Sequence, residues 1–126
     1  MRALMIIAAA ALSLSCSRPV TPPGAALAQE TAGRVAGPPQ TCISSNRSEN
    51  LRVLDPQTLA YGFGNTIYIN HLPAACPGLS TFNTIIVEAD DGMQYCRNNR
   101  IRALQPGAII PGPTCVLGDW VPYRRP

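Results

Sequence analysis

The sequence predicts a small all-β domain, closed into a disulfide-stabilised barrel of about six or seven short strands, with a small two-sheet sandwich as the alternative. Three observations lead there. Short runs of β-branched and aromatic residues recur through the C-terminal two-thirds of the chain, separated by Gly, Pro, Asn and Asp. Four cysteines, Cys42, Cys76, Cys96 and Cys115, follow an apolar N-terminal leader. No window of about ten residues carries a convincing helical period. Closure suits such a chain because it leaves no strand edge exposed.

The leader comes first. Arg2 precedes an apolar run over 3–12, too short for a permanent transmembrane helix, which needs roughly 20 residues. A charged start, a short apolar core and small residues make a secretory signal. Two cleavage sites compete. Leu12-Ser13-Leu14-Ser15-Cys16 resembles a bacterial lipobox, with Ser13 where a leucine is usual. Cleavage there removes 1–15 and leaves Cys16 to be lipidated, at a membrane facing the periplasm. Ala26-Leu27-Ala28 instead suits an ordinary signal peptidase, which removes 1–28 and releases a soluble periplasmic or secreted chain. Within 16–40, five prolines and three glycines with no apolar period read as a disordered tether. The folded domain is then 41–126.

Outside the leader the cysteines form an even set, and two disulfides are the default in an oxidising compartment. No C-x-x-C pair occurs, which argues against a zinc site and against a redox dithiol. Barrel closure makes the first and last strands neighbours, favouring Cys42–Cys115 with Cys76–Cys96. The sequential pairing, Cys42–Cys76 with Cys96–Cys115, competes with it. Net charge is +3 over the whole chain. From Cys42 onward seven arginines face six acids, so the domain itself is close to neutral and the case for an anionic partner is weak.

The strands follow in order. "NLRVLD" alternates weakly and stops at Pro56, and "TLAYGF" meets a Gly64-Asn65 turn before "TIYINHL". Pro73 and Pro77-Gly78 break the next stretch. "NTIIVEA" runs into Asp91-Gly92 and then "MQYC", a hairpin signal. "RIRAL" sets Ile101 and Ala103 opposite Arg100 and Arg102, as in a half-buried strand. "GAIIPGPT" is a proline-rich loop, and "CVLGDWVPY" a closing strand broken at Gly118-Asp119.

The stretches "TCISSNRSENLRVLDPQTLAY", "IYINHLPAACPGL", "YCRNNRIRAL" and "CVLGDW" resemble an uncharacterised family, a domain of unknown function, of small secreted four-cysteine bacterial envelope proteins. The likeness covers nearly the whole domain and implies a fold scale but no activity. Family members commonly carry an aspartate in a Gly-Asp step after the third cysteine. Here Asn98-Asn99 stands in that place, so no acid-dependent role is carried over to this loop.

His71, the one histidine, ends the "TIYIN" strand and lacks a recognisable nucleophile or orienting partner in sequence. Glu88, Asp90 and Asp91 are too few oxygens for a calcium loop, and Asp-Gly has a direct turn reason to be there. No metal or cofactor is expected. Arg97, Arg100 and Arg102, joined by Arg124 and Arg125, form the candidate anion-binding surface; a solvated strand face is the plainer reading. Aromatics do not interleave with the arginines, which argues against nucleic acid. The chain is therefore expected to be a non-catalytic binding or structural module of the cell envelope. Its expected partners are a membrane, through the lipid anchor, and an envelope component. A small periplasmic hydrolase centred on His71 is the alternative.

Overall fold

The computed structural model describes residues 16–17, 21–46 and 48–126; residues 1–15, where the signal segment is expected, residues 18–20 and Arg47 lie outside them. One short helix, α1 (Ala25–Thr31), precedes ten strands: β1 (Val35–Ala36), β2 (Cys42–Ser44), β3 (Arg52–Asp55), β4 (Thr58–Tyr61), β5 (Thr66–His71), β6 (Thr84–Glu88), β7 (Gln94–Cys96), β8 (Arg100–Leu104), β9 (Thr114–Val116) and β10 (Trp120–Arg124). They form a five-stranded sheet ordered β1-β10-β5-β4-β3, a three-stranded sheet β6-β8-β9 and a pair β2-β7, with all pairings antiparallel.

The fold is all-β, as expected, but it is sandwich-like and not a closed barrel. Its strands are two to six residues long and fall into three separate sheets. One core joins them: Val53, Leu59, Tyr61 and Trp120 from the large sheet meet Ile101 and Ala103 from the three-stranded sheet and Ile43 from the pair. Alternation along each strand supplies these residues.

The large sheet buries both faces. Along β5, Tyr68 and Asn70 point to the main core, while Ile67 and Ile69 join Ala60 in a second cluster on the other face. Leu54, Tyr123 and Leu27 pack onto that cluster, and Leu27 belongs to α1. The expected disordered tether is therefore ordered from Ala25 onward. Glu30 of α1 accepts two hydrogen bonds from Arg52 of β3, Nε to Oε1 at 2.9 Å and Nη2 to Oε2 at 3.1 Å. Seven residues would not hold a helix in water alone, so packing holds this one. Composition missed it because a single leucine and one ion pair carry the docking.

The same segment then runs beside β10. Val35 and Ala36 pair with Arg124 and Tyr123, Gly37 N–H donates to Pro122 O at 2.7 Å, and Gln40 and Trp120 exchange two bonds at 2.7 and 2.8 Å. Pro122 fits an interior strand because its missing N–H faces the leader, whose own prolines 38 and 39 leave the pairing loose there.

The disulfides are Cys42–Cys96 and Cys76–Cys115, and neither expected pairing forms. The closure argument placed the wrong segment beside the last strand. β1 and Gln40, not Cys42, occupy that edge. Cys42 instead lies opposite Cys96 in the β2-β7 pair, and the loop after β5 brings Cys76 to β9. Sequence separations of 54 and 39 residues give chain-entropy contributions of about 4 kcal/mol each. That is comparable with the ~5–10 kcal/mol net stability of a domain this small. Asp91-Gly92 does make a turn, its Oδ1 accepting from Met93 N–H and Gln94 N–H. The expected hairpin does not follow, because β6 pairs with β8 and β7 with β2.

Asn70 and Gly118 lock the two halves together. The buried Asn70 amide donates from Nδ2 to Gly118 O and accepts at Oδ1 from Gly118 N–H, both at 2.8 Å. A Cβ on Gly118 would collide with the His71 carbonyl, so only glycine allows this approach. Asn70→Ala strands two buried backbone groups and should lower unfolding free energy by about 2–4 kcal/mol in denaturant titration. Gly118→Ala should be at least as severe. A loss below about 0.5 kcal/mol in either, the range of surface substitutions, would contradict this.

Candidate functional site

β8 turns Ile101 and Ala103 inward and Arg100 and Arg102 outward, as its alternation requires. Of the expected anion-binding surface, Arg97, Arg100 and Arg102 each have a partner within the fold. Arg100 pairs with Glu88 across the strands at 2.9 Å, and Arg97 with Asp119 at 3.4 Å. Arg102 donates to the carbonyls of Gly112 and Pro111 at 2.9 and 3.2 Å, holding the loop after β8. The shallow groove beside them includes Glu88 and Asp90 as well as Arg97 and Arg100, so its charge is balanced. Arg124 and Arg125 do not join this group. They lie at the far end of β10, beyond Trp120 and Asp119.

Asn98 and Asn99 build the turn before β8. Asn98 adopts φ 69°, in the left-handed region where Asn is tolerated. Asn99 Oδ1 accepts from Cys96 N–H at 2.7 Å, and the backbone of both residues bonds Leu117. Their role is conformational.

His71 is exposed at the end of β5, its Nδ1 lying 3.4 Å from Thr58 Oγ1. No carboxylate reaches its ring among the described residues. Asp91 caps its own turn, Glu88 and Asp119 hold arginines, and among the described residues no three His, Cys, Asp or Glu side chains converge as a metal site.

Two surface features were not singled out in the sequence. The first is an uncharged apolar end of the three-stranded sheet. Phe82, Ile109 and Ile110 are 81, 92 and 79% exposed, and residues 72–84 and 103–118 contain no charged side chain. Cys76–Cys115 and the Arg102 bonds hold this end in shape. A groove of about 250 Å³ runs between Pro77-Gly78 and Ile110. The second is a groove of about 420 Å³ between α1 and the large sheet, with Arg34 and Arg125 on its walls. Its signal in sequence was hidden, since Arg34 lay in the presumed tether.

Among the described residues no helix is long and apolar enough to cross a membrane. Two disulfides fit an extracellular or periplasmic setting. No family model, no curated protein and no solved structure matches the chain.

Tyr61 sits where the core meets this architecture, edge-on to Tyr95 at 5.5 Å and to Trp120 at 6.5 Å. Its hydroxyl accepts from Asn46 N–H at 2.6 Å. Burial pushes the phenol above its usual 10.0, reinforced by Glu49 and Tyr95 and opposed by the Asn46 bond. An unfolded tyrosine loses its proton near pH 10 while the folded one still holds it, so stability falls as pH rises through that window. Denaturant midpoints measured from about pH 9 to 11 should therefore decline. Tyr61→Phe should flatten the decline; an unchanged slope would contradict the assignment.

Proposed function

We propose that the protein is a lipid-anchored, non-catalytic module of the bacterial cell envelope. In this reading Cys16 holds it to a membrane facing the periplasm, and the β domain meets an envelope partner. The docking of α1 carries the anchor. Cleavage after Ala28 would discard the first four residues of the helix, Leu27 among them, and leave Glu30 second in the mature chain. Cleavage before Cys16 keeps the helix whole.

The binding role is supported by the uncharged end bearing Phe82, Ile109 and Ile110. These side chains are exposed on segments that carry no charge, a setting that fits a contact site.

Intact mass of the native protein from separated membrane and soluble fractions tests the anchor. The mature chain should begin at Cys16, carry lipid and sediment with membranes, and Cys16→Ala should move it to the soluble fraction. A mature wild-type chain beginning at Gln29 would overturn the reading.

A further inference from the structure

We propose that the groove between α1 and the large sheet binds a phosphate-bearing anion through Arg34 and Arg125. The site goes beyond the envelope reading and does not depend on lipid at Cys16. Its geometry starts at Asn65, in the turn between β4 and β5. The Asn65 carbonyl accepts from Arg34 Nη1 at 3.1 Å and from Arg125 N–H at 3.0 Å. One backbone oxygen thus draws the start of β1 and the end of β10 together, with both arginines on the groove wall.

Charge accounting favours an anion. Glu30 is the one carboxylate lining the groove, and both its oxygens are bonded to Arg52. Among the described residues the ion pairs involve Arg52, Arg97 and Arg100, so Arg34 and Arg125 stand without a counter-charge. Arg34 donates to a backbone carbonyl and to no carboxylate, unlike Arg97 and Arg100, which pair with acids.

The ligand class follows from the donors. Guanidinium forks match the paired oxygens of a phosphate, and two forks suit its spread charge better than a single carboxylate would. The bond to Asn65 orients Arg34 before any ligand arrives. Ala26, Ala32 and Leu54 offer an apolar wall for the rest of the molecule, and Gln29 an amide. A volume of about 420 Å³ accommodates a small organophosphate or a phospholipid headgroup. The two sources share the same chemistry and differ in what the phosphate is attached to.

The test uses the chain from residue 16 with Cys16→Ala. Inorganic phosphate is titrated by calorimetry, and vesicles of phosphatidylcholine with and without phosphatidylglycerol are tested by co-sedimentation. Saturable binding is expected to at least one probe. Arg125→Gln should weaken it by about tenfold or more without changing the melting temperature. Arg34→Lys, which keeps the charge and loses the fork, should also weaken it, whereas Arg100→Gln should leave it within about twofold. Binding of phosphate in solution alone assigns the site to a free phosphorylated ligand. Binding of phosphatidylglycerol vesicles alone assigns it to a headgroup. Absence of saturable binding to both probes, or equal losses in Arg125→Gln and Arg100→Gln, would overturn the proposal.

Discussion

β10 is held along both edges, and most of the structure depends on this. On one side five residues pair with β5; on the other the leader segment pairs through Val35, Ala36 and Gln40. Held this way, β10 turns Trp120 into the main core, where it is fully buried against Tyr61, and turns Tyr123 onto the outer face. The leader thereby covers backbone groups of β10 and then folds α1 over Ile67 and Ile69. Without it, that apolar face would meet water and the last strand would be an open edge.

The other half of the molecule has little sheet to rely on. β2 and β7 form a three-residue pair, and β9 is equally short. Covalent links compensate. Cys42–Cys96 ties the short pair across its strands, and Cys76–Cys115 fixes the loop after β5 to the edge of the three-stranded sheet. Between the halves, the Asn70 amide replaces a peptide-like pair of hydrogen bonds at Gly118, where the backbones of β5 and the β9–β10 connection come too close for any side chain. Buried polar groups satisfied in this way specify one arrangement, because a shifted register would leave them unpaired.

Much of this was legible in the sequence. β3, β4, β5, β6 and β8 fall on the runs that alternation marks, and the break at Gly118-Asp119 separates β9 from β10. Alternation reports which face of a strand is buried, but not which strand lies beside it. That is why Asp91-Gly92 gave a turn without a hairpin, and why closure paired the wrong cysteines. α1 escaped notice because its helicity depends on tertiary contacts to Arg52 and Leu54, which have no local signature. The arginines of β8 were placed on the correct face, yet their partners Glu88, Asp119 and the Pro111 and Gly112 carbonyls come from distant segments. The unpartnered pair, Arg34 and Arg125, lies 91 positions apart and meets only through Asn65.

The proposed processing of the chain, the cover of the outer face and the arginine groove all rest on one claim, that the segment from Ala25 to Gln40 is part of the fold. Native-state amide hydrogen exchange, resolved by residue, tests it most directly. Gly37 and Gln40 N–H are bonded to β10, and their exchange should be slowed together with that of Trp120. Exchange of Gly37, Gln40 and Trp120 at the rate of an unstructured chain, while the amides paired between β4 and β5 stay protected, would show that the leader is a tether after all.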